Sequence, residues 1–334
     1  MARAERFHCC FFRRKARRKR RSKVTPAATI CDFSGREDTI DETIAPAFDR
    51  LSDAMDFGCV DADTDDIHVG SSMPLPPVPD SFYWADAPWG AALRCRPLDE
   101  LAPHLFTTRQ LRLADASDYA QLAQAVGAER VVTLTQVHGA AAHVIHRGSS
   151  PPGEPPEADI LVSDVPGVAV AVRAADCVPI LMADRATGAV SAVHAGWRGT
   201  AARAAVSALN AMAREFGTRP QDVVAAIGPS IGPCCYQVGT DLVDAFAAAG
   251  HERYLIDRWF STPPPPRGSG ERSQLRLDVA GANGDQLILA GVPPGQIYDA
   301  GLCTAMHLDI LTSYRAEKEN AGRIAGVIRC GRHS

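Results

Sequence analysis

Between Ala158 and Gly199 the chain reads ADILVSDVPGVAVAVRAADCVPILMADRATGAVSAVHAGWRG, four short apolar runs separated by turn signals such as Val165-Pro166-Gly167 and Asp184 to Gly188. Short apolar runs bounded by Gly, Pro and Asp are strand-like. Their continuity, in place of strict alternation, implies strands covered on both faces. Cys177 and His194 stand at turns that end such runs, and an earlier run, VVTLTQVHG, closes on His138. If those three separated strand ends converge in space, they offer polar, metal-binding side chains to one place.

A chain of 334 residues with 46% hydrophobic content is long enough for one large domain or two ordinary ones. The net charge of -4 gives no global attraction to nucleic acid. No apolar stretch reaches the roughly 20 residues that span a bilayer, because Arg173 and Asp176 interrupt the longest one. Ten cysteines are irregularly spaced, form no CxxC pair and follow no recognisable secretory signal, which points to a reducing compartment and a cytoplasmic protein. Oligomeric state is not legible from these features.

Residues 1–80 read as a disordered extension and 81–334 as the folded domain. FFRRKARRKRRSK, Phe11 to Lys23, is a like-charged block that stays solvated, with an RNA- or membrane-contacting arm, a nuclear signal or a transit peptide as its functional readings. An acidic stretch, Glu37 to Asp66, and the proline-rich MPLPPVPD, Met73 to Asp80, complete it. Beyond it, Pro103 to Leu113 reads as a strand carrying Arg109. Asp115 or Ser117 caps a helix that Gly127 ends, and Thr200 is expected to cap a helix running to Gly217.

His138, Cys177 and His194 admit two chemistries. Zinc takes imidazole and thiolate readily, and a catalytic zinc keeps three protein ligands with the fourth position for water or substrate. Asp176 is then placed to orient a ligand or move a proton. Alternatively Cys177 is a nucleophile with a histidine as its base. The plainest reading makes each residue a buried cysteine or a hydrogen-bonded histidine. The GWRGT turn adds Gly196 and Gly199 for close backbone approach, Arg198 as a guanidinium fork, and a helix start near Thr200, together a seat for an oxyanion or phosphate. Arg109 and Arg315 are further candidates for an anionic substrate. His143 and His146, three apart on a strand-like stretch, face opposite sides and do not share a metal. Cys234-Cys235 reads as buried packing.

TQVHG, ADCVPIL, HAGWRGT, IGPSIGPCCYQVG, CT and SYR, in this order, resemble the YfiH-type family, also called laccase-domain or polyphenol-oxidase-like proteins, from about His104 to about Arg329. The resemblance implies a single α/β (α+β) domain of packed mixed sheets flanked by helices, of the cytotoxic-necrotizing-factor/YfiH-like class. It implies zinc, with copper as the less favoured metal, on His138, Cys177 and His194. It also implies phosphorolysis of purine nucleosides, with phosphate and nucleoside as partners and with adenosine deamination and methylthioadenosine phosphorolysis as related activities. Two departures stand out. After Arg109 the chain lacks the family's Gly-rich turn and Asn-Leu-Gly segment, and Gln237 stands where the family usually carries Glu. Copper polyphenol oxidation is a separate class, but a four-copper oxidase needs roughly ten imidazoles largely in HxH pairs. This chain has ten His and no HxH. The resemblance also allows a hydrolase that edits cell-wall precursor peptides, and the three ligand types by themselves allow a metal-binding protein without catalysis.

Overall fold

The computed structural model describes residues 74–148, 154–263 and 273–331. The basic and acidic segments expected to form a disordered extension lie outside the described residues. Pro76, in the stretch read as a linker, is buried, and its carbonyl accepts the Trp84 indole N–H at 2.8 Å. Packing therefore begins a few residues before the expected boundary at 81.

The first elements are β1 (Phe82–Ala87), β2 (Gly90–Cys95), α1 (Arg96–Asp99), β3 (His104–Thr107), α2 (Ala116–Ala125), β4 (Arg130–Val132) and β5 (Ala142–Ile145). The strand-dense stretch supplies β6 (Ile160–Ser163), β7 (Val168–Ala174), β8 (Val178–Asp184) and β9 (Val190–Ala195), then α3 (Trp197–Ala201) and α4 (Ala204–Phe216). After it come β10 (Val223–Ile227), α5 (Thr240–Ala248), α6 (Arg253–Trp259), β11 (Phe260–Ser261) and β12 (Arg276–Leu277). The chain continues through α7 (Val279–Leu289), β13 (Ile297–Asp299), α8 (Tyr314–Glu317) and β14 (Ile324–Arg329).

Two mixed sheets result, ordered β1-β2-β3-β14-β7-β4 and β13-β10-β8-β9-β6-β5. Successive side chains of a strand point to opposite faces, and the core divides accordingly. Val168, Val170 and Val172 of β7 pack with Leu181 of β8, Val190 and Ala192 of β9 and Val224 of β10, so these residues form the layer between the sheets. Ala169 and Ala171 of β7 point the other way, onto Leu122 of α2. Ile180, Val193 and Ala225 face outward from the second sheet onto α4, α5, α6 and α7. Both faces of each central strand are covered, which is why the runs are apolar throughout.

Local signals placed several ends well. Asp115 caps α2 by accepting from the amides of Ser117 at 2.8 Å and Asp118 at 3.3 Å, and Gly127 closes it at φ +62°. Three expectations are corrected. The strand carrying Arg109 stops at Thr107. The strand leading to His138 ends at Val132. Thr200 is not a cap: the helix starts at Trp197 behind Gly196, breaks at Arg203 (φ +57°) and restarts at Ala204. The Arg203 guanidinium donates to the carbonyls of Ala249 and Gly250 at 2.8 Å each, which anchors the break.

Phe106 shows how tightly the inter-sheet layer is filled. A Cβ built on Gly228 would lie 2.3 Å from its Cε1 atom. Gly228→Ala is therefore expected to cost about 1–3 kcal/mol through overpacking. A lower urea midpoint at unchanged slope checks this, and an unchanged midpoint would show that Phe106 has room to move.

Candidate metal centre and active-site cleft

Three backbone segments meet at one end of the inter-sheet layer. His194 is the penultimate residue of β9, on the same face as Ala192. Cys177 lies in the turn between β7 and β8. His138 comes from the irregular segment after β4 rather than from a strand end, with φ +62°. The ligand-capable atoms of these three residues all lie within 4.8 Å of one another. The two imidazoles meet edge to face, with ring centroids 4.9 Å apart.

The residue that organises them is Asp159, fully buried just before β6. Its Oδ1 accepts from His194 Nδ1 at 2.8 Å and from the His138 amide at 2.9 Å. Its Oδ2 accepts from the amides of Gly139 at 2.6 Å and Val137 at 3.3 Å. One carboxylate thus holds both the ring of one histidine and the loop of the other. Gln136 pins the same loop to β7: its side chain accepts from the Arg173 amide at 2.9 Å and donates to the Arg173 carbonyl at 2.7 Å. Sequence reading missed Asp159 because it ends SSPPGEPPEAD, Ser149 to Asp159, whose Pro, Gly and acidic content reads as an exposed connection. An acid directly before an apolar run was the available signal.

Asp176, expected to orient a ligand or move a proton, contacts a hydroxyl and backbone amides rather than a histidine. Its φ of +83° is a left-handed conformation that persists only where surroundings over-determine it. They do so here: its carbonyl accepts from Ile231 N at 3.0 Å, and its carboxylate accepts from Thr304 Oγ1 at 2.6 Å and from the Arg315 amide at 2.5 Å. Asp176 sets the Cys177 turn, while the acid that orients a histidine is Asp159.

Electrostatics favour a charged pair. Burial raises the Cys177 thiol, but hydrogen bonds with His138 and His194 outweigh it and bring the thiol down to about 7. Burial lowers His194, yet the bonds to Asp159 and then Cys177 carry it up to about 9. Burial opposes the charge on Asp159 too, and the His194 ring and the Gly139 amide overcome that to hold the carboxyl below its ordinary value.

With Nδ1 of His194 given to Asp159, its Nε2 is left for a metal, a tautomer-fixing arrangement common among metal-bound histidines. An N, N, S donor set of this size suits zinc with an open fourth position. His143 and His146 do not join the group, and among the described residues the other cluster of possible ligands is Cys234, Cys235 and Cys303.

Gly196 explains itself by space. A Cβ there would lie 2.8 Å from Cys177 Sγ and 3.3 Å from His138 Cδ2. Gly196→Ala is expected to push the thiol out of line and to weaken metal binding at least about tenfold, the lower end for disturbing a supporting contact. Competition with a zinc chelator measures it, and wild-type affinity would show that the turn gives way instead.

The triplet opens into a cleft of about 1020 Å³. Arg112, Arg173, Arg198, Arg315, Lys318 and Arg323 line it, with Trp197, Tyr236 and Tyr314, and among the described residues Asp176 is its single carboxylate residue. Arg198 is exposed and its guanidinium lies 4.4 Å from the centre of the Trp197 ring. Arg315 donates to the Gln237 carbonyl at 2.8 Å and sits 5.1 Å from the centre of the Tyr236 ring. Gln237 therefore reaches the site through its backbone.

Other expected substrate contacts fall elsewhere. The Arg109 guanidinium bonds the carbonyls of Leu308 and Leu311 and pairs with Glu317 at 2.9 Å, bracing α8 from outside the cleft lining. Gly199 is buried, and a Cβ on it would lie 3.0 Å from the Gly139 carbonyl. Thr200 is buried within α3, its hydroxyl accepting from Asn283 Nδ2 at 2.9 Å and its carbonyl accepting from Gln286 Nε2 at 3.0 Å. Both residues pack α3 rather than face an anion.

A double-sheet α/β domain with a His–Cys–His group in a cation-lined cleft is the class that fold and site define. Residues 112–331 match the family described as multi-copper polyphenol oxidoreductase laccase, and the chain belongs to that family. It is 35% identical over 246 residues to the purine nucleoside phosphorylase of Deinococcus radiodurans, covering 68% of this chain and 88% of that protein. It is 39% identical over 166 residues to the purine nucleoside phosphorylase of Bacteroides thetaiotaomicron, covering 50% of this chain but only 58% of that one. Among solved structures, YlmD from Geobacillus stearothermophilus aligns with a TM-score of 0.63 at 31% identity, covering 76% of this chain and all (100%) of that chain. Among the described residues, no helix is long and apolar enough to cross a membrane.

Proposed function

We propose that the chain is a zinc-dependent purine nucleoside phosphorylase, converting a purine nucleoside and phosphate to the free base and ribose 1-phosphate. The observation that carries this reading is that His138, Cys177 and His194 line one cleft with, among the described residues, six cationic side chains and a single carboxylate residue. Zinc held by that triplet would supply Lewis-acid polarisation.

The remaining work falls to the chain's own residues. The expected phosphate seat at a helix start gives way to one made of side chains, since α3 has five residues and Gly199 and Thr200 are buried. Arg198, exposed on the Trp197 ring, and Arg315, steadied by the Gln237 carbonyl, are the cations best prepared for a planar, charge-assisted grip on phosphate. Trp197, Tyr236 and Tyr314 offer apolar ring faces to a purine. Asp176 positions the Cys177 turn, because both of its carboxylate oxygens already accept hydrogen bonds.

Incubation with inosine and with adenosine, each with and without phosphate, tests the proposal. Hypoxanthine and adenine are expected only when phosphate is present. Inosine formed from adenosine without phosphate, as the main reaction, would make the protein a deaminase. Oxidation of a phenol with no base release would move it to the copper-oxidase reading. Arg198→Ala is expected to weaken the phosphate-dependent reaction by about 1.5–3 kcal/mol, the scale of a charged hydrogen bond. An equal loss in the phosphate-independent reaction would mean that Arg198 only packs on Trp197.

A further inference from the structure

We propose that Cys234, Cys235 and Cys303 form a second, all-thiolate site, separate from the His138–Cys177–His194 group, that takes a soft monovalent cation of the cuprous type. Their sulfur atoms all lie within 4.8 Å of one another. Metal–sulfur bonds of about 2.3 Å in a trigonal arrangement put sulfurs about 4 Å apart, so closure needs a shift of under about 1 Å.

Two backbone features hold the group in that shape. Cys234 and Cys235 sit in a turn closed by the amides of Cys235 and Tyr236, each donating to the Gly232 carbonyl at 3.0 Å. Cys303 is fixed opposite them by a parallel bridge to Ser230, in which Ser230 N donates to Leu302 O at 3.1 Å and Thr304 N donates to Ser230 O at 2.9 Å. Gly232 lies between the two segments. A Cβ on it would come within 3.3 Å of both Cys234 Sγ and Cys303 Cβ, and its amide donates to Cys303 Sγ at 3.2 Å. That bond is the kind that settles negative charge on sulfur.

A binding ion displaces to solvent whatever protons the three thiols carry, and no electron moves because the ion arrives as copper(I). Thiolate without imidazole or carboxylate selects soft ions such as copper(I) over hard ones. Access is from the surface, since Cys234 is exposed, Cys235 half-buried and Cys303 buried. Copper recovered with the protein would then lie apart from the catalytic triplet and would not signify phenol oxidation.

The test is an anaerobic titration of the reduced full chain with copper(I) against bicinchoninate, on zinc-loaded protein. Cys9, Cys10, Cys31 and Cys59 lie outside the described residues, so uptake is read as a difference between variants. One equivalent is expected to disappear in Cys303→Ser and in Cys234→Ser and to persist in Cys177→Ser. Bound copper is also expected to shield Cys234, Cys235 and Cys303 from iodoacetamide, read residue by residue by mass spectrometry. Cys234 is exposed, so its variant and the alkylation map decide the matter even where Cys303→Ser fails to fold. Equal uptake by all variants, loss of the equivalent in Cys177→Ser, or equal alkylation of the three cysteines with and without copper would each overturn the proposal. None of these readouts depends on phosphorolysis.

Discussion

Cys177→Ser is expected to strip the metal from the His138–Cys177–His194 group and to lower turnover by more than about 100-fold, the upper end of what loss of a merely supporting partner costs. Serine nearly matches cysteine in size, so the turn set by Asp176 should keep its shape. What disappears is the soft anionic donor: a seryl hydroxyl stays protonated at neutral pH, whereas the Cys177 thiol is held at about 7 by two imidazoles. His138→Ala is the companion variant, since His138 is exposed and its removal leaves no buried hole. Elemental analysis beside activity reads both, with circular dichroism to confirm folding. Metal retained while activity is lost would make Cys177 a nucleophile rather than a ligand. Copper at full occupancy, lost on mutation of Cys177 but not of Cys303, would replace zinc at the triplet. Unchanged metal and unchanged turnover would remove the triplet from the chemistry altogether.

The layered fold was legible because β7, β8, β9 and β10 are apolar at nearly every position, a pattern that only strands covered on both faces require. The α2 cap was legible for an equally local reason, the Asp115 side chain being the acceptor its own helix needs. The triplet was visible as residue types, and the resemblance in sequence bound them together. Its supports were not. Asp159 touches His194 across 35 positions and Asp176 touches Thr304 across 128, and no local pattern encodes such pairings. Arg109 looked like a substrate contact because charge alone does not reveal a partner such as Glu317. The helix break at Arg203 escaped notice since Thr200 to Gly217 carries helical spacing throughout, and what ends α3 is a guanidinium bound to distant carbonyls. The cleft's cations come from four stretches, around Arg112, Arg173, Arg198 and Arg315 to Arg323, that converge only through the sheet order.

Asp159→Asn is expected to lower zinc affinity about 10- to 100-fold, the usual cost of removing an outer partner of a metal-bound histidine, although Asp159 itself offers no atom to the proposed metal. The buried carboxylate takes two donors on each oxygen. An asparagine offers one oxygen and one NH2 group, so either orientation sets an N–H against another N–H. In one, the amides of Val137 and Gly139 lose their acceptor and the His138 loop loosens. In the other, the His194 Nδ1–H and the His138 amide lose theirs, and the ring is free to turn. Breaking a buried charged pair of this kind costs about 3–5 kcal/mol, so a lower urea midpoint is expected together with the weaker metal binding. The pH dependence separates this from a simple packing defect. Because the folded protein holds the Asp159 carboxyl below its ordinary value, its stabilisation is fully present above the unfolded carboxylate value and is lost as pH falls through the lowered one. Wild type and variant, both free of metal, should therefore differ most near neutrality and converge in acid. A gap that stays constant down to strongly acidic pH would assign the effect to shape rather than charge, and an unchanged zinc affinity would show that His194 keeps its orientation without Asp159.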